Sequence, residues 1–500
     1  MHTVHSFPHL TASEAAELIP DGALVGFSGF TPAGAVKAVP RALALRARDL
    51  HKAGRPFRIK VLTGASTGQG LDDALAEADA ISWRAPYMSS KPLRDQINTQ
   101  KTAFVDMHLS HVPQTLSFGF FGKMDFAVIE ATEVTPDGRV YLTTSIGASP
   151  TFLQCADKVI IEINRFHSPR LREMADIITL APPPHRGPIP IYDPLMKVGW
   201  PYAGVDPRKI VAVVKNDEPD DVAPFDPPTK VHTKIAERVV EFLLNEMRAG
   251  RIPKEFLPFQ SGVGNVANAV LAGLGENRDV PPFEMYTEVF QESCVDLMEQ
   301  GRLAGASTTA LTITAEKLAQ IYDNMDFFVP RIVMRPQELT NHPGIIRRLG
   351  LITMNTALEV DIYGHANSTH VLGTQMMNGI GGSGDFTRNA YLSIYMCPST
   401  SKGGALSTIV PMVTHVDHNE HSVQVVVTEQ GLADLRGLGT MERAKRIIEK
   451  CAHPAYKDYL RRYLETARMG HIKHDLTRAF ELHRNFMETG AMLPGVTVGV

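Results

Sequence analysis

Three short runs, Met124 to Glu130, Val159 to Asn164 and Ile210 to Lys215, are apolar almost from end to end. They are too short for buried helices and rich in β-branched residues. They read as strands covered on both faces, the habit of parallel sheets. Ala23 to Phe27, Phe57 to Leu62 and a strand starting at Phe104-Val105-Asp106 precede them. Helix-spaced segments fall at Ser13 to Leu18, Ala35 to Ala47 and Asp72 to Ala80. Strands alternating with helices predict an α/β fold, with a mainly parallel sheet between helical layers.

A chain of 500 residues is long enough for two domains. Ala181 to Tyr202 carries seven prolines and is expected to be an irregular crossing loop. Asn216 to Lys230, acidic and proline-rich, is taken as a linker. This predicts domains at 1–222 and 230–500. The second half opens with a helix, Thr233 to Ala249, and then repeats an earlier pattern. VGFSGFTPAGAVKAVPRAL (25–43) and SGVGNVANAVLAGL (261–274) both place glycines ahead of Ala-Val at helical spacing. That pattern points to two related open α/β domains. Later strands are expected at Phe327 to Val333, Ile352 to Asn355, Val360 to Tyr363 and His370 to Gly373. Leu406 to Thr414 and Ser422 to Val427 read as a hairpin, and Met441 to Glu488 as a helical tail.

Charge and cysteine usage narrow the function. The formal net charge is −4, which gives no basis for a nucleic-acid or anionic-membrane partner. No apolar run reaches the roughly 18 residues of a spanning helix. The N-terminal segment lacks the order of a signal peptide. Cys155, Cys294, Cys397 and Cys451 are widely spaced, which fits a reducing, cytoplasmic setting without disulfides or a zinc knuckle.

Ser261 to Gln291 holds the most chemistry. Gly262, Gly264 and Ala267 fit a relaxed dinucleotide fingerprint, in which backbone amides meet an anion at a helix start. Such a turn also occurs as a plain helix entry. Glu284, Glu288 and Glu292 would form one solvated face if the segment were helical. Met285 to Phe290 is instead rich in aromatic and β-branched residues, which favours a strand with Glu288 beside Tyr286 and Phe290. A carboxylate among apolar groups is costly and is often tolerated for function. Glu288 could be a nucleophile or a ribose-binding acid.

Asn378 to Phe386 has four glycines in six residues and could form an anion-binding nest. Lys402, beside two glycines, could meet a phosphate. Glu429 ends a strand, a common place for site residues in α/β folds. His415, His418 and His421 are spaced three apart, but Asp417 and Glu420 compete with them in an apparent turn, and no metal is expected. G-x-S-x-G, H-E-x-x-H and P-loop motifs are absent from the sequence.

GVGNVANAV, the EVFQ strand, NTALEVDIYGHANSTH, NGIGGSGDF and VTEQG, taken in order, resemble the acetyl-CoA hydrolase/transferase family of class I CoA-transferases. The match is nearest the succinyl-CoA:acetate CoA-transferase branch. RAPYMSSKPLRDQIN and FVDMHLS extend the resemblance into the first half. The resemblance implies two related α/β domains and a homodimer, with coenzyme A as substrate and no tightly bound cofactor. It implies that Glu288 is a nucleophile that passes through a glutamyl-CoA thioester in a ping-pong cycle. It places CoA contacts at Val263, Gly264, Asn265, Val266, Ala267, Leu358, Asn378, Gly382 and Lys402. Asn341 and Glu429 would position the nucleophile. The partners implied are acyl-CoA and short-chain carboxylates, with succinyl-CoA and acetate first. Propionate with succinate, acetyl-CoA hydrolysis, and a dinucleotide-dependent dehydrogenase are the alternatives.

Overall fold

Apolar strands with no polar face must be covered on both sides, and the chain meets that demand with helices. The computed structural model describes residues 7–224 and 227–495. Phe225 and Asp226, inside the expected linker, lie outside the described residues, as do 1–6 and 496–500 of the expected domains. The chain divides into two compact units, each built from separated stretches. The first comprises Met1–Pro224, Glu284–Leu349 and Asn378–Asp385. The second comprises Phe225–Phe283, Gly350–Met377 and Phe386–Val500.

The first unit holds nine strands in one sheet: β1 (Leu24–Phe27), β2 (Ile59–Leu62), β3 (Ile81–Ala85), β4 (Ala103–Phe104), β5 (Phe126–Val134), β6 (Arg139–Leu142), β7 (Lys158–Asn164), β8 (Ala203–Gly204) and β9 (Ile210–Asn216). β4, β3, β2, β1, β5, β7 and β9 pair in parallel. β6 and β8 are antiparallel additions. Val25 sits opposite Phe126 and Val128 opposite Ile160, so the predicted apolar runs form the centre. The loops after β1 to β4 therefore open on one edge of the sheet, the usual place for sites in open α/β folds.

The glycine turn after β1 leads into the helix Ala38–Lys52, whose start is already occupied. The Glu162 carboxylate accepts from the amides of Lys37, Ala38 and Val39 at 2.8–3.1 Å. An internal anion thus sits where a phosphate would bind in a dinucleotide fold. Nearby, Lys37 Nζ lies 2.6 Å from Glu130 and 3.0 Å from Asp220. Burial opposes its charge, but these two carboxylates hold it protonated. Glu130, His167 and Asp220 are the trio with metal-ligand spacing among the described residues, and Lys37 supplies a cation to its two carboxylates.

In the second unit the strands Phe259–Ser261, Ile352–Thr356, Leu392–Met396 and Val425–Thr428 pair in parallel in that order. Gly431–Asp434 then returns antiparallel to Val425–Thr428. The predicted hairpin between Leu406–Thr414 and Ser422–Val427 does not form. Ile409–Val410 pairs with Glu359–Asp361 instead, and Val425–Thr428 enters the main sheet. The helical tail resolves into Thr440–Cys451, Pro454–Thr466 and Glu481–Thr489, which cover an apolar core around Val360, Tyr395, Val426 and Tyr463. Phe327 to Val333 is also not one strand. A helical turn, Met325–Phe328, and a 3₁₀ turn, Val329–Arg331, precede the strand Ile332–Met334. Pro330 withholds a ladder donor there.

Candidate active site

Glu288 sits in a break in the strand that the sequence predicts. Phe283–Tyr286 and Val289–Phe290 are separate strands, with Thr287 and Glu288 between them. The Glu288 carbonyl is held there by three donors: the amides of Thr309 and Ala310, at 2.9 and 3.1 Å, and Thr308 Oγ1 at 2.8 Å. Tyr286 and Phe290 are fully buried on either side. The Tyr286 hydroxyl donates to the Leu339 carbonyl at 2.7 Å, which ties this strand to the helix Gln337–Thr340.

Asn341 follows that helix and is itself buried. Its Nδ2 donates to Glu288 Oε1 through a short hydrogen bond, and to Asp385 Oδ2 at 3.2 Å. Thr340 Oγ1 donates to Asn341 Oδ1 at 2.8 Å, which fixes the amide's orientation. Asp385 is held in turn by Ser110, through N–H at 3.0 Å and Oγ at 2.6 Å. Gly382 lies against the Glu288 carboxyl. A Cβ built there would overlap Glu288 Oε1 and Asn341 Nδ2, so only glycine leaves room for the carboxylate.

These surroundings set the charge. Burial pushes the Glu288 carboxyl up to about 8; the Asn341 hydrogen bond opposes the rise and the Asp385 charge adds to it. Burial also raises Asp385 to about 6, against the Ser110 and Asn341 hydrogen bonds. Two carboxyls that share one amide donor cannot both ionise freely. The result is a poorly hydrated carboxyl that becomes a strong nucleophile once it loses its proton.

Four of the predicted site residues, Glu288, Asn341, Asn378 and Gly382, belong to the first unit. The segment Asn378–Asp385 is fastened there by Met88 N–H to Asn378 O at 3.2 Å, Ile380 N–H to Asp106 Oδ1 at 2.8 Å, and Leu109 N–H to Gly381 O at 3.3 Å. Sequence reasoning gave no role to Asp385, Ser110 or Tyr87. The signal was present: each lies inside a stretch quoted for the resemblance.

The remaining predicted residues belong to the second unit, where topology gathers them on one edge. Gly262 to Ala267, Leu358, Lys402 and Glu429 all follow the C-terminal ends of its parallel strands. Gly264, at φ +127°, is the N-cap of the helix Asn265–Glu276 and offers no side chain to its first amides. Val263 beside it is 44 % exposed. Leu358 is held by its amide, which donates to Asn367 O at 2.8 Å. Lys402 is exposed, with Nζ 4.9 Å from the Phe486 ring centroid. The Glu429 carboxylate accepts from Ser399 N–H at 2.8 Å, from Ser399 Oγ, and from Gln430 Nε2 at 2.9 Å. Burial opposes its charge, but these donors hold its pKa below the ordinary value.

The sequence profile of the acetyl-CoA hydrolase/transferase N-terminal domain matches residues 4–215, and that of the C-terminal domain matches residues 318–464. The chain is similar to the propanoyl-CoA:succinate CoA transferase of Escherichia coli (strain K12), with 58 % identity over 97 % of this chain and 98 % of that protein. It is 46 % identical to the succinyl-CoA:acetate CoA-transferase of Clostridium kluyveri, over 97 % of this chain and 90 % of that one. Among solved structures, RipA from Yersinia pestis shares the fold, with a TM-score of 0.71 at 24 % identity over 92 % of this chain and 97 % of that one. Among the described residues no helix is long and apolar enough to cross a membrane.

Proposed function

This chain belongs to the acetyl-CoA hydrolase/transferase family, and on that premise we propose that it moves coenzyme A between short-chain carboxylic acids by way of Glu288. The carboxylate attacks the acyl-CoA carbonyl, breaks the C–S bond and gives a mixed anhydride and CoA thiolate. The thiolate attacks the glutamyl carbonyl of the anhydride and releases the first acid as its carboxylate. Glu288 is left as a thioester. An acceptor carboxylate attacks that thioester to form a new anhydride. The thiolate then takes the new acyl group and frees Glu288. No net proton is gained or lost, and one thioester is exchanged for another.

The observation that carries this reading is the Glu288 carboxyl set between the Asn341 amide and Gly382, with its pKa pushed up to about 8. A weakly hydrated carboxylate is a better nucleophile toward a thioester than a solvated one. The Asn341 amide would stay on that oxygen as the glutamyl carbonyl passes through its own tetrahedral state. By the family's pattern, Val263, Gly264, Asn265, Val266, Ala267, Leu358, Asn378, Gly382 and Lys402 serve CoA binding, and Glu429 helps to place the nucleophile. The acid pair we put first is succinate with acetate. The relative at 58 % identity makes succinate with propionate the alternative.

Hydrolysis at the same site is the second reading, favoured by the family's own description. The dehydrogenase alternative draws no support from the family. The test is an intact-mass measurement after incubation with acyl-CoA and no acceptor. A covalent CoA adduct on Glu288, missing in Glu288→Ala, is expected. An unmodified wild-type protein under conditions of full turnover would remove the proposal. Acetate accelerating CoA exchange far above thioester loss in buffer separates transfer from hydrolysis.

A further inference from the structure

The helix Gln337–Thr340 runs directly into Asn341, and its first side chain fastens it to the loops around Glu288. Gln337 N–H donates to the Gly147 carbonyl at 3.0 Å, and the Gln337 carbonyl accepts from Asn341 N–H at 3.0 Å. The Gln337 side chain is buried, and its Nε2 donates to the Leu109 carbonyl at 2.9 Å. Leu109 in turn donates its N–H to Gly381 O at 3.3 Å. Ser110, the next residue, holds Asp385. These bonds close a ring. It runs from Asn341 through Gln337 to Leu109, on to Gly381 and Gly382, and back to the Glu288 carboxyl, which both Gly382 and Asn341 touch. Gln337 is a tie in that ring that does not pass through Glu288.

Stability alone gives no reason for an amide at this position. Gln337 Oε1 is buried and has no partner among the described residues. It occupies a slot lined by glycines: Cβ atoms built on Gly64 and Gly147 would come within 2.8 and 3.7 Å of it. An orphaned buried acceptor costs as much as one hydrogen bond returns, or more. The Leu109 carbonyl also accepts from Val112 N–H at 3.3 Å, so it keeps a partner without Gln337. A methionine of similar shape would fill the slot, orphan no new group and remove the unpaired oxygen. What the amide adds is geometry: it sets the helix that carries Asn341 against the loop that carries Ser110.

We propose that Gln337 is a positioning residue for the reaction at Glu288: through Leu109 it fixes how far Asn341 stands from the Ser110–Asp385 pair, so that the Asn341 amide stays divided between Glu288 and Asp385. The need arises because the charge on Glu288 changes during turnover. As a carboxylate it is a strong acceptor for Asn341 N–H. As an anhydride or thioester its oxygen is neutral and accepts more weakly, and the Asp385 carboxylate then competes for the amide. An amide drawn over to Asp385 would leave the glutamyl oxygen without its donor when negative charge returns to it. The Gln337 tie holds Asn341 at a spacing that this competition does not alter. The inference rests on the transferase reading, which has Glu288 pass through those two acyl states.

The experiment is steady-state kinetics with thermal unfolding on the full chain, in wild type, Gln337→Met, Asp385→Asn and the double variant. Gln337→Met is expected to lower kcat by roughly ten- to a hundredfold, with KM for acyl-CoA and for the acceptor acid each within about twofold of wild type. Its thermal midpoint should not fall, because no buried group loses its last partner. The kcat loss should be smaller in the Asp385→Asn background, where a neutral amide competes less for Asn341, so the two effects should not multiply. A Gln337→Met kcat within about twofold of wild type overturns the assignment. So does a kcat loss that comes with a lowered thermal midpoint and multiplies with that of Asp385→Asn, since that is general loosening. Should Gln337→Met not fold, Gln337→Leu must show the same fall in kcat at unchanged KM, and its absence there overturns the proposal. A failure of the transferase reading looks different: wild type would show no CoA adduct on Glu288, whatever these variants do.

Discussion

With the Glu288 carboxyl pushed up to about 8, the covalent step proposed for it should depend on pH in a definite direction. The raised value favours the neutral acid, so the nucleophilic form grows as pH rises through about 8 and levels off above it. Single-turnover adduct formation, followed from pH 6 to 9.5 by rapid quench and mass spectrometry, should show that rise. Its neighbours move the midpoint in opposite senses. Asp385 adds negative charge and raises Glu288, so Asp385→Asn should shift the midpoint to lower pH. Asn341 donates to the ionised form and lowers Glu288, so Asn341→Ala should shift it to higher pH and slow the step as well. Shifts in one direction for both variants would contradict this electrostatic account. Gly382→Ala tests sterics alone. The added methyl displaces the carboxylate, and a displacement of that size should cost on the order of a hundredfold in kcat. Its thermal midpoint should fall as well, because the methyl overpacks a buried site and breaks the Asn341 hydrogen bond to Glu288.

At the scale of elements, the proline-rich stretch Ala181 to Tyr202 is more than the irregular loop that its composition announces. Arg335 grips it from below: Nη2 donates to the carbonyls of Pro194 and Met196 at 3.1 and 2.6 Å, and Nη1 pairs with the buried Asp176. Arg348 adds bonds to the carbonyls of Ile189 and Ile191 at 2.7 and 2.9 Å. The Arg335 backbone also holds the turn that clamps Glu288, through Arg335 N–H to Thr308 O and Thr309 Oγ1 to Arg335 O, both 2.7 Å. Arg335→Met strands the Asp176 carboxylate in the interior, at a cost of about 3–5 kcal/mol. Thermal unfolding should show a lowered midpoint that a second change, Asp176→Leu, partly restores. A double variant less stable than Arg335→Met would refute the pairing. Prolines revealed that the stretch is irregular, because they veto helix and sheet locally. Asp176 holds it from nearby through the amides of Val198 and Gly199, but Arg335 and Arg348 reach it from more than a hundred residues away, beyond any local pattern. The same limit explains the failed hairpin. Leu406 to Val410 and Val425 to Thr428 each have strand chemistry, but tertiary pairing chose other partners for them. The break at Glu288 was hidden for a related reason. Aromatic and β-branched neighbours promise an unbroken strand, and only the distant Thr308 to Ala310 turn interrupts it.

For the whole molecule, the consequence is that the sequence halves and the compact units do not coincide. Residues 284–349 and 378–385 come after the linker in sequence yet belong with the first unit. A fragment of residues 1–224 therefore lacks Arg335 against Asp176, Gln337 Nε2 on the Leu109 carbonyl at 2.9 Å, and Asp385 on Ser110. It would expose the apolar surface that those segments cover and leave Asp176 buried without its cation. Each defect is of the kind that removes several kcal/mol from a fold stable by only about 5–15. Expressed alone, 1–224 should be aggregated or lack a cooperative thermal transition. Co-expression with 225–500 should restore a soluble complex that forms the CoA adduct. An autonomous 1–224 fragment with a sharp unfolding transition would show instead that the later segments merely dock on a finished domain. Repeating the mass measurement on the reassembled halves decides whether they also complete the surroundings of Glu288, since Asn341 and Glu288 both lie on the second fragment while Ser110, which holds Asp385, lies on the first.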